Sequence, residues 1–156
     1  MINAISEIIL SQDMPESLDA TLFRFAKEQD KTIDGIETHE EQVSIIQKIS
    51  LDTQRQALVK TATNLRKYRK TIVKMKHLYE TYETNRLHQA SKKGIGGMRK
   101  VLLYDRNIKM ATRIHEKAKA NSLFSAVGAG HLFGKKGVLK LLKSQGATVK
   151  PIKMNK

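Results

Sequence analysis

The chain has 156 residues, a length typical of one domain, and 40% of them are apolar. It contains no cysteine, which excludes disulfide frameworks, thiolate metal sites and cysteine nucleophiles. Twenty-nine basic residues against fifteen acidic ones give a net charge of +14, so an anion is the default partner. The charge is uneven along the chain, because residues 1–60 carry net −5 and residues 61–156 carry net +19.

The N-terminal segment predicts a packing helix and no secretory signal. Its apolar residues from Ile2 to Leu10 have helical spacing, no Lys or Arg precedes them, and Glu7 interrupts them. No run in the chain reaches the roughly 18 apolar residues that a membrane helix needs. We therefore expect no signal peptide and no membrane span.

The next segment predicts two helices separated by a short strand. The first helix runs from about Leu18 to Gln29, with Ser17 as its cap. Residues 32–38 then alternate in character and predict a strand that ends near Glu37. Thr38 and Glu41 have the spacing of a capping box, which predicts the start of a second helix.

From Leu51 to about Gln89 the chain has no Pro or Gly and keeps helical periodicity, which predicts one long helix or two in sequence. The outward side of this helical stretch, opposite its apolar stripe, carries basic residues. The simpler interpretation is that these residues are only solvated, and phosphate binding is the alternative. The glycine-rich stretch 92–100 lacks the spacing of a phosphate loop, so we expect a connection to another helix at 101–120. The basic residues of the outward side are Arg66, Lys67, Lys70, Lys74 and Lys76.

The last forty residues predict a strand, a helix and a second strand. Leu123–Val127 is a short apolar run of the kind found in buried strands. A helix begins near Val138 and ends at Gly146, and Thr148–Ile152 predicts the final strand. Because strand, helix and strand within some thirty residues form a βαβ unit, we expect a helix-rich α/β fold with a small, mostly parallel sheet.

Two polar residues follow the predicted strands, where open parallel sheets carry their active sites. They are Glu37 and His131, and Gly128 and Gly130 leave room beside the histidine for a sharp turn and a bound ligand or cofactor. A carboxylate and an imidazole here can form a general acid–base pair or part of a metal site. The alternative is that both residues have only structural roles at the ends of their strands.

Four segments, in order between about residues 17 and 153, resemble motifs of the TraB/GumN family. That family includes the Tiki-type metal-dependent proteases and is similar in fold to the erythromycin-esterase and ChaN-like proteins. The segments are Gly35–Gln42, Tyr104–Ala111, Phe124–Val138 and Leu141–Ile152.

The resemblance implies roles for three residues. Glu37 matches the glutamate of the family's G-L-E-T motif, Arg106 and Asn107 match its R-N pair, and His131 matches the histidine of its second G-x-x-H motif. In the Tiki-like branch such histidines and acidic residues hold a divalent metal that activates water for peptide hydrolysis, which implies His131 and Glu37 as metal ligands. Glu37, Arg106 and His131 would line the active cleft, where Arg106 can clamp a substrate carboxylate or orient Glu37, and a plain structural salt bridge to Glu37 is the alternative.

The chain also departs from the family pattern. The first G-x-x-H motif is missing. After His131 and Leu132 the family continues with proline, glycine and an acidic residue, whereas this chain has Phe133, Gly134, Lys135 and Lys136. A cation there would oppose a nearby divalent metal unless it points away. The resemblance therefore implies that 1–156 is one TraB/GumN-like domain lacking its N-terminal part. It would be a fragment, a truncated gene product, or a half-domain completed by a second copy or by a separate N-terminal half. One histidine and one glutamate fall short of the three protein ligands of a catalytic metal site.

The resemblance implies a metal-dependent, peptidase-like hydrolase of the bacterial cytoplasm or cell envelope, acting on a peptide or a small molecule and inactive while incomplete. The alternative is a basic module that binds nucleic acid or another anionic surface. Nucleic acid is the less favoured partner, since the chain has four Tyr, four Phe and no Trp for stacking on bases.

Overall fold

A computed structural model describes residues 16–152, and the helix predicted over Ile2–Leu10 lies outside them. The described residues form eight α-helices, with a short 3₁₀ turn at Gly96–Met98 and a π-helical turn at Lys100–Tyr104 between the fifth and the sixth. The helices are α1 (Leu18–Glu28), α2 (His39–Gln47), α3 (Leu51–Thr63), α4 (Leu65–Glu80), α5 (Thr84–Ile95), α6 (Asp105–Ala120), α7 (Ala129–Leu132) and α8 (Val138–Ser144).

The predicted α/β fold is wrong, because residues 16–152 contain helices and no strand. The stretches 32–35, 123–127 and 148–152 are neither helical nor paired as strands. Burial agrees with this, since Phe124 is 80% exposed and Ile152 is 91% exposed where buried strands were expected. Of the predicted βαβ unit, only the helix is present, as α8.

The predicted helix boundaries are confirmed where they depend on local capping. Ser17 Oγ accepts a hydrogen bond from the Ala20 backbone at the start of α1. Thr38 and Glu41 exchange the two hydrogen bonds of a capping box, at 3.0 and 3.2 Å. Gly146 has φ +93° after α8, where a left-handed residue ends the helix and where glycine costs least.

The described chain divides into two compact units. Unit one comprises residues 16–35 and 46–82, and unit two comprises residues 36–45 and 83–152. The predicted single domain over 1–156 stays a prediction. Among residues 16–152, no helix combines the length and the apolar character needed to span a bilayer.

Unit one is built from α1, α3 and α4, and α3 packs against α4. The sequence predicts one long helix or two from Leu51 to about Gln89, and the structure has three there, which are α3, α4 and the first part of α5. Within the part of unit one that the structure describes, Leu78 is the one apolar side chain that is buried. Unit one therefore presents most of its helix surface to solvent.

Unit two has a small core where α6 packs against α8. Ala111 and Val138 are 0% and 1% exposed, and Met110 lies beside them. Partly buried apolar side chains surround this cluster, among them Ile36 and Val127. The core holds together the segments that carry Glu37, Arg106 and His131.

The glycine-rich stretch 92–100, which begins in the last turn of α5, is helical rather than a loop. It forms the 3₁₀ turn at Gly96–Met98, and the π-helical turn at Lys100–Tyr104 leads directly into α6. A π turn adds one residue to a helical turn, so it rotates the side chains that follow, and such turns often occur at functional sites. Arg106 and Asn107 are the first residues affected after Asp105.

Candidate functional site

Glu37 and Arg106 form a forked salt bridge within unit two. Arg106 Nη2 donates to Glu37 Oε2 at 2.6 Å, and Arg106 Nε donates to Oε1 and Oε2 at 2.9 and 3.2 Å. The Glu37 side chain is only 4% exposed and that of Arg106 is 24% exposed. The structure shows the salt bridge between Arg106 and Glu37, and the roles predicted for Arg106 as a group that orients Glu37 or clamps a substrate stay predictions.

The neighbouring Asn107 connects α6 to the segment that carries His131. Asn107 is 2% exposed, and its side-chain Nδ2 donates to the carbonyl oxygen of Lys136 at 2.7 Å. Its Oδ1 lies 2.6 Å from Nδ1 of His131. One buried amide therefore holds both the loop after α7 and the imidazole ring.

These contacts define which nitrogen of His131 carries a proton. A backbone carbonyl only accepts hydrogen bonds, so the Asn107 atom that faces Lys136 is the NH₂ group and the atom that faces His131 is the oxygen. His131 Nδ1 must then donate, which leaves Nε2 without a proton whenever the ring is neutral. His131 is partly exposed, and in the described part of the chain no hydrogen bond to Nε2 is present.

The surroundings of His131 favour the neutral ring. Burial lowers the pKa of His131 below its ordinary value of 6.5, and the positive charge of Arg106 lowers it further. Glu37 has the opposite effect, which is the weakest of the three. At neutral pH His131 thus offers a free lone pair on Nε2.

A second set of charge pairs holds the start of α2 against α6. Arg113 and Lys109 both bond the carboxylate of Glu41, and Arg113 Nη1 also donates to the Ile36 carbonyl at 2.8 Å. Arg113, the Thr38 backbone and Lys109 lower the pKa of Glu41 to about 2. These contacts fix the position of the segment that precedes α2, and this segment includes Glu37.

The glycines near His131 differ in how closely other atoms surround them. At Gly128 and Gly130 a methyl group would meet its nearest neighbours, His131 and Ser91, at an ordinary 3.7 Å. By contrast, a methyl group at Gly137 would overlap the Phe133 carbonyl oxygen, and Gly134 has φ +92° with the ring of His88 against it. The predicted ligand or cofactor role of Gly128 and Gly130 stays a prediction.

The side chains at this site fit a divalent metal poorly. Both Glu37 oxygens are bonded to the guanidinium of Arg106, whose charge repels a cation. Residues 16–152 contain no group of three or more His, Asp or Glu side chains that could hold an ion. The assignment of His131 and Glu37 as metal ligands stays a prediction. The atom of this pair that could still bind a metal is Nε2 of His131, through its lone pair.

Asn107 is the functional residue that the sequence does not single out. The R-N pair includes it, but only the structure shows that its amide is buried and determines the tautomer of His131. The Lys136 side chain, expected to oppose a nearby metal, extends over the ring of Tyr104 at 4.9 Å from the centroid. Its carbonyl group, rather than its charge, contributes to the site.

A model of the TraB/PrgY/gumN family matches residues 1–151. The chain therefore belongs to the TraB/PrgY/gumN family, which confirms the resemblance carried by its motifs. No curated protein and no solved structure matches it.

Proposed function

We propose that unit two carries the proton-transfer site of a hydrolase, in which Nε2 of His131 accepts a proton from water or from a substrate. The observation that carries this proposal is the contact between Asn107 Oδ1 and His131 Nδ1, because it leaves Nε2 as the basic nitrogen. A neutral imidazole that is partly exposed is a suitable general base near neutral pH.

The other site residues act through His131. Asn107 is a positioning residue that sets the ring's tautomer and orientation. Arg106 lowers the pKa of His131 by its charge, and Glu37 in turn fixes Arg106. The proposal thus assigns one catalytic residue, His131, and three residues that support it.

Substrate and partners are inferred from the family alone. Peptides or small molecules with a hydrolysable carbonyl group are the proposed substrates, and a second copy or a separate N-terminal half would complete the site. A role for a divalent metal is tested separately, by measuring Mn²⁺ and Zn²⁺ binding to the chain and to its His131→Ala variant. Binding that is lost in the variant supports the metal role, and equal binding removes it.

The test is hydrolysis of a panel of peptide and ester substrates by the purified chain, alone and at concentrations that favour self-association. A general base contributes about 10²- to 10⁴-fold to the rate, so we expect His131→Gln to lower kcat/KM by that factor. His39→Gln is the matched control, since His39 is exposed on α2 and bonds none of the site residues. Hydrolysis that survives His131→Gln unchanged contradicts the proposal.

A further inference from the structure

Helix α4 presents a row of positive charges on its solvent side. Arg66, Arg69, Lys70 and Lys74 are all exposed and line one shallow groove along the helix. We call these four residues the cationic face. Their spacing of three and four residues places them on one side of a helix, and the row is about 12 Å long at 1.5 Å per residue.

Among residues 16–152, no carboxylate pairs with the cationic face. The one acidic residue of α4 is Glu80, and it lies 3.7 Å from Lys76, outside the face. Within the described part of unit one, no ion pair reaches Arg66, Arg69, Lys70 or Lys74, whereas Arg24 and Arg55 pair with nearby acids. Four adjacent cations without counter-charges repel one another, so a polyanion that meets them removes this repulsion.

The opposite side of α4 is turned into unit one. Leu78 is buried, and Tyr68, Ile72 and Met75 are half-buried along the same side. The apolar side of the helix is therefore not available for insertion into a lipid surface, which stable binding of an amphipathic helix requires. What remains accessible is a positively charged surface, in which Val73 is exposed beside the four cations.

We propose that the cationic face of α4 binds the phosphate backbone of duplex nucleic acid without reading its sequence. A duplex carries one phosphate charge per about 1.7 Å of its axis, so a row of about 12 Å meets several phosphates. The face contains no aromatic side chain, which removes the stacking that single-strand binding uses. The sequence already places Arg66, Lys70 and Lys74 on one outward side, but it does not show that these cations lack acidic partners.

The test uses the full chain and a labelled duplex of about 25 base pairs, with affinity measured by fluorescence anisotropy at 50 and 200 mM salt. Four neutralised phosphates give a slope of about −3.6 in log K against log salt, hence a loss of roughly 10²-fold over this range. The result that overturns the proposal is affinity independent of salt, or no binding at 50 mM. Tighter binding of an equally charged single strand overturns the duplex assignment.

A charge-matched pair of variants separates the face from net charge. Arg66→Gln, Arg69→Gln, Lys70→Gln and Lys74→Gln together should remove most of the salt-dependent binding. The control changes Lys119, Lys140, Lys143 and Lys150 to Gln, since all four are exposed and lie in unit two. Equal losses in the two variants overturn the proposal, because binding would then follow net charge alone.

Two further measurements complete the test. Lys70→Gln alone should reduce the slope of log K against log salt by about 0.9. This single variant keeps the test valid if the fourfold variant loses its helical circular dichroism. Vesicles with about 30 mol% phosphatidylserine provide the lipid alternative at the same salt concentration. Binding to these vesicles that exceeds binding to the duplex overturns the proposal in favour of a membrane surface.

Discussion

The two units use charged residues in opposite ways. In unit one, ion pairs such as Arg24–Glu28 and Arg55–Asp52 join near neighbours in sequence and are exposed. In unit two, Arg106–Glu37 and Arg113–Glu41 join residues about seventy positions apart and are partly buried. The comparison shows that charge in unit one remains available at the surface, whereas charge in unit two determines where the site residues lie.

The largest expected effect is that of breaking the salt bridge in unit two. Glu37→Ala leaves Arg106 without its partner, and breaking a buried pair of this kind costs about 3 kcal/mol. In a double-mutant cycle measured by urea unfolding, Glu37 and Arg106 should couple several times more strongly than Glu28 and Arg24, because the latter pair is exposed and screened by solvent. Equal coupling energies for the two pairs would contradict the difference described between the units.

A matched pair of valines tests the difference in packing. Val138 is 1% exposed in unit two, and Val59 is 54% exposed in unit one. Val138→Ala should reduce the free energy of unfolding by about 2 kcal/mol, through lost burial and a residual cavity. Val59→Ala should change it by no more than about 0.5 kcal/mol. If chemical unfolding gives equal losses for the two variants, the core described for unit two does not stabilise the chain.

The smallest effect concerns stability in acid. Because the pKa of Glu41 falls from 4.5 to about 2 on folding, the unfolded chain binds a proton more readily than the folded chain below pH 4.5. The stability that Glu41 contributes is present above pH 4.5 and is lost as the pH falls toward 2. Glu41→Gln should flatten the fall in melting temperature over this range.

The control for this acid effect is Glu80→Gln, which removes an exposed carboxylate from unit one. It should leave the acid profile of the melting temperature as it is in the unaltered chain. If instead the melting temperature of the Glu41→Gln variant depends on pH as that of the unaltered chain does, the bonds from Arg113 and Lys109 to Glu41 do not stabilise the folded state.

Local signals in the sequence predict the helices well. Ser17, Thr38 with Glu41, and Gly146 each satisfy backbone groups within a few residues, so the caps they predict form in the structure. Periodicity likewise predicts α3, α4 and α6. These features depend on neighbours in sequence and require no knowledge of the tertiary fold.

The predicted strands failed because a strand depends on a partner. An apolar run such as Leu123–Val127 indicates that a segment suits a sheet, but its backbone groups must still bond to another strand. Within residues 16–152 no such partner is present, and Phe124 faces solvent. The sequence pattern contains no information on that pairing.

The site was only partly predictable for a similar reason. Family motifs identify Glu37, Arg106 and His131, which unit two brings into one cluster, as the charge effects on His131 show. The role of Asn107 depends on a hydrogen bond to the carbonyl of Lys136, twenty-nine residues away. Such a contact follows from how α6 packs against the loop after α7, and no spacing in the sequence indicates it.

The most direct test of the site is the protonation state of His131, measured by long-range ¹H–¹⁵N correlation NMR and assigned with His131→Gln. We expect a neutral ring at about pH 7.5 with the proton on Nδ1 and a bare Nε2, and a titration midpoint below 6.5. A proton on Nε2 in the neutral ring, or a midpoint at or above 6.5, would contradict the assignment of His131 as a general base held by Asn107.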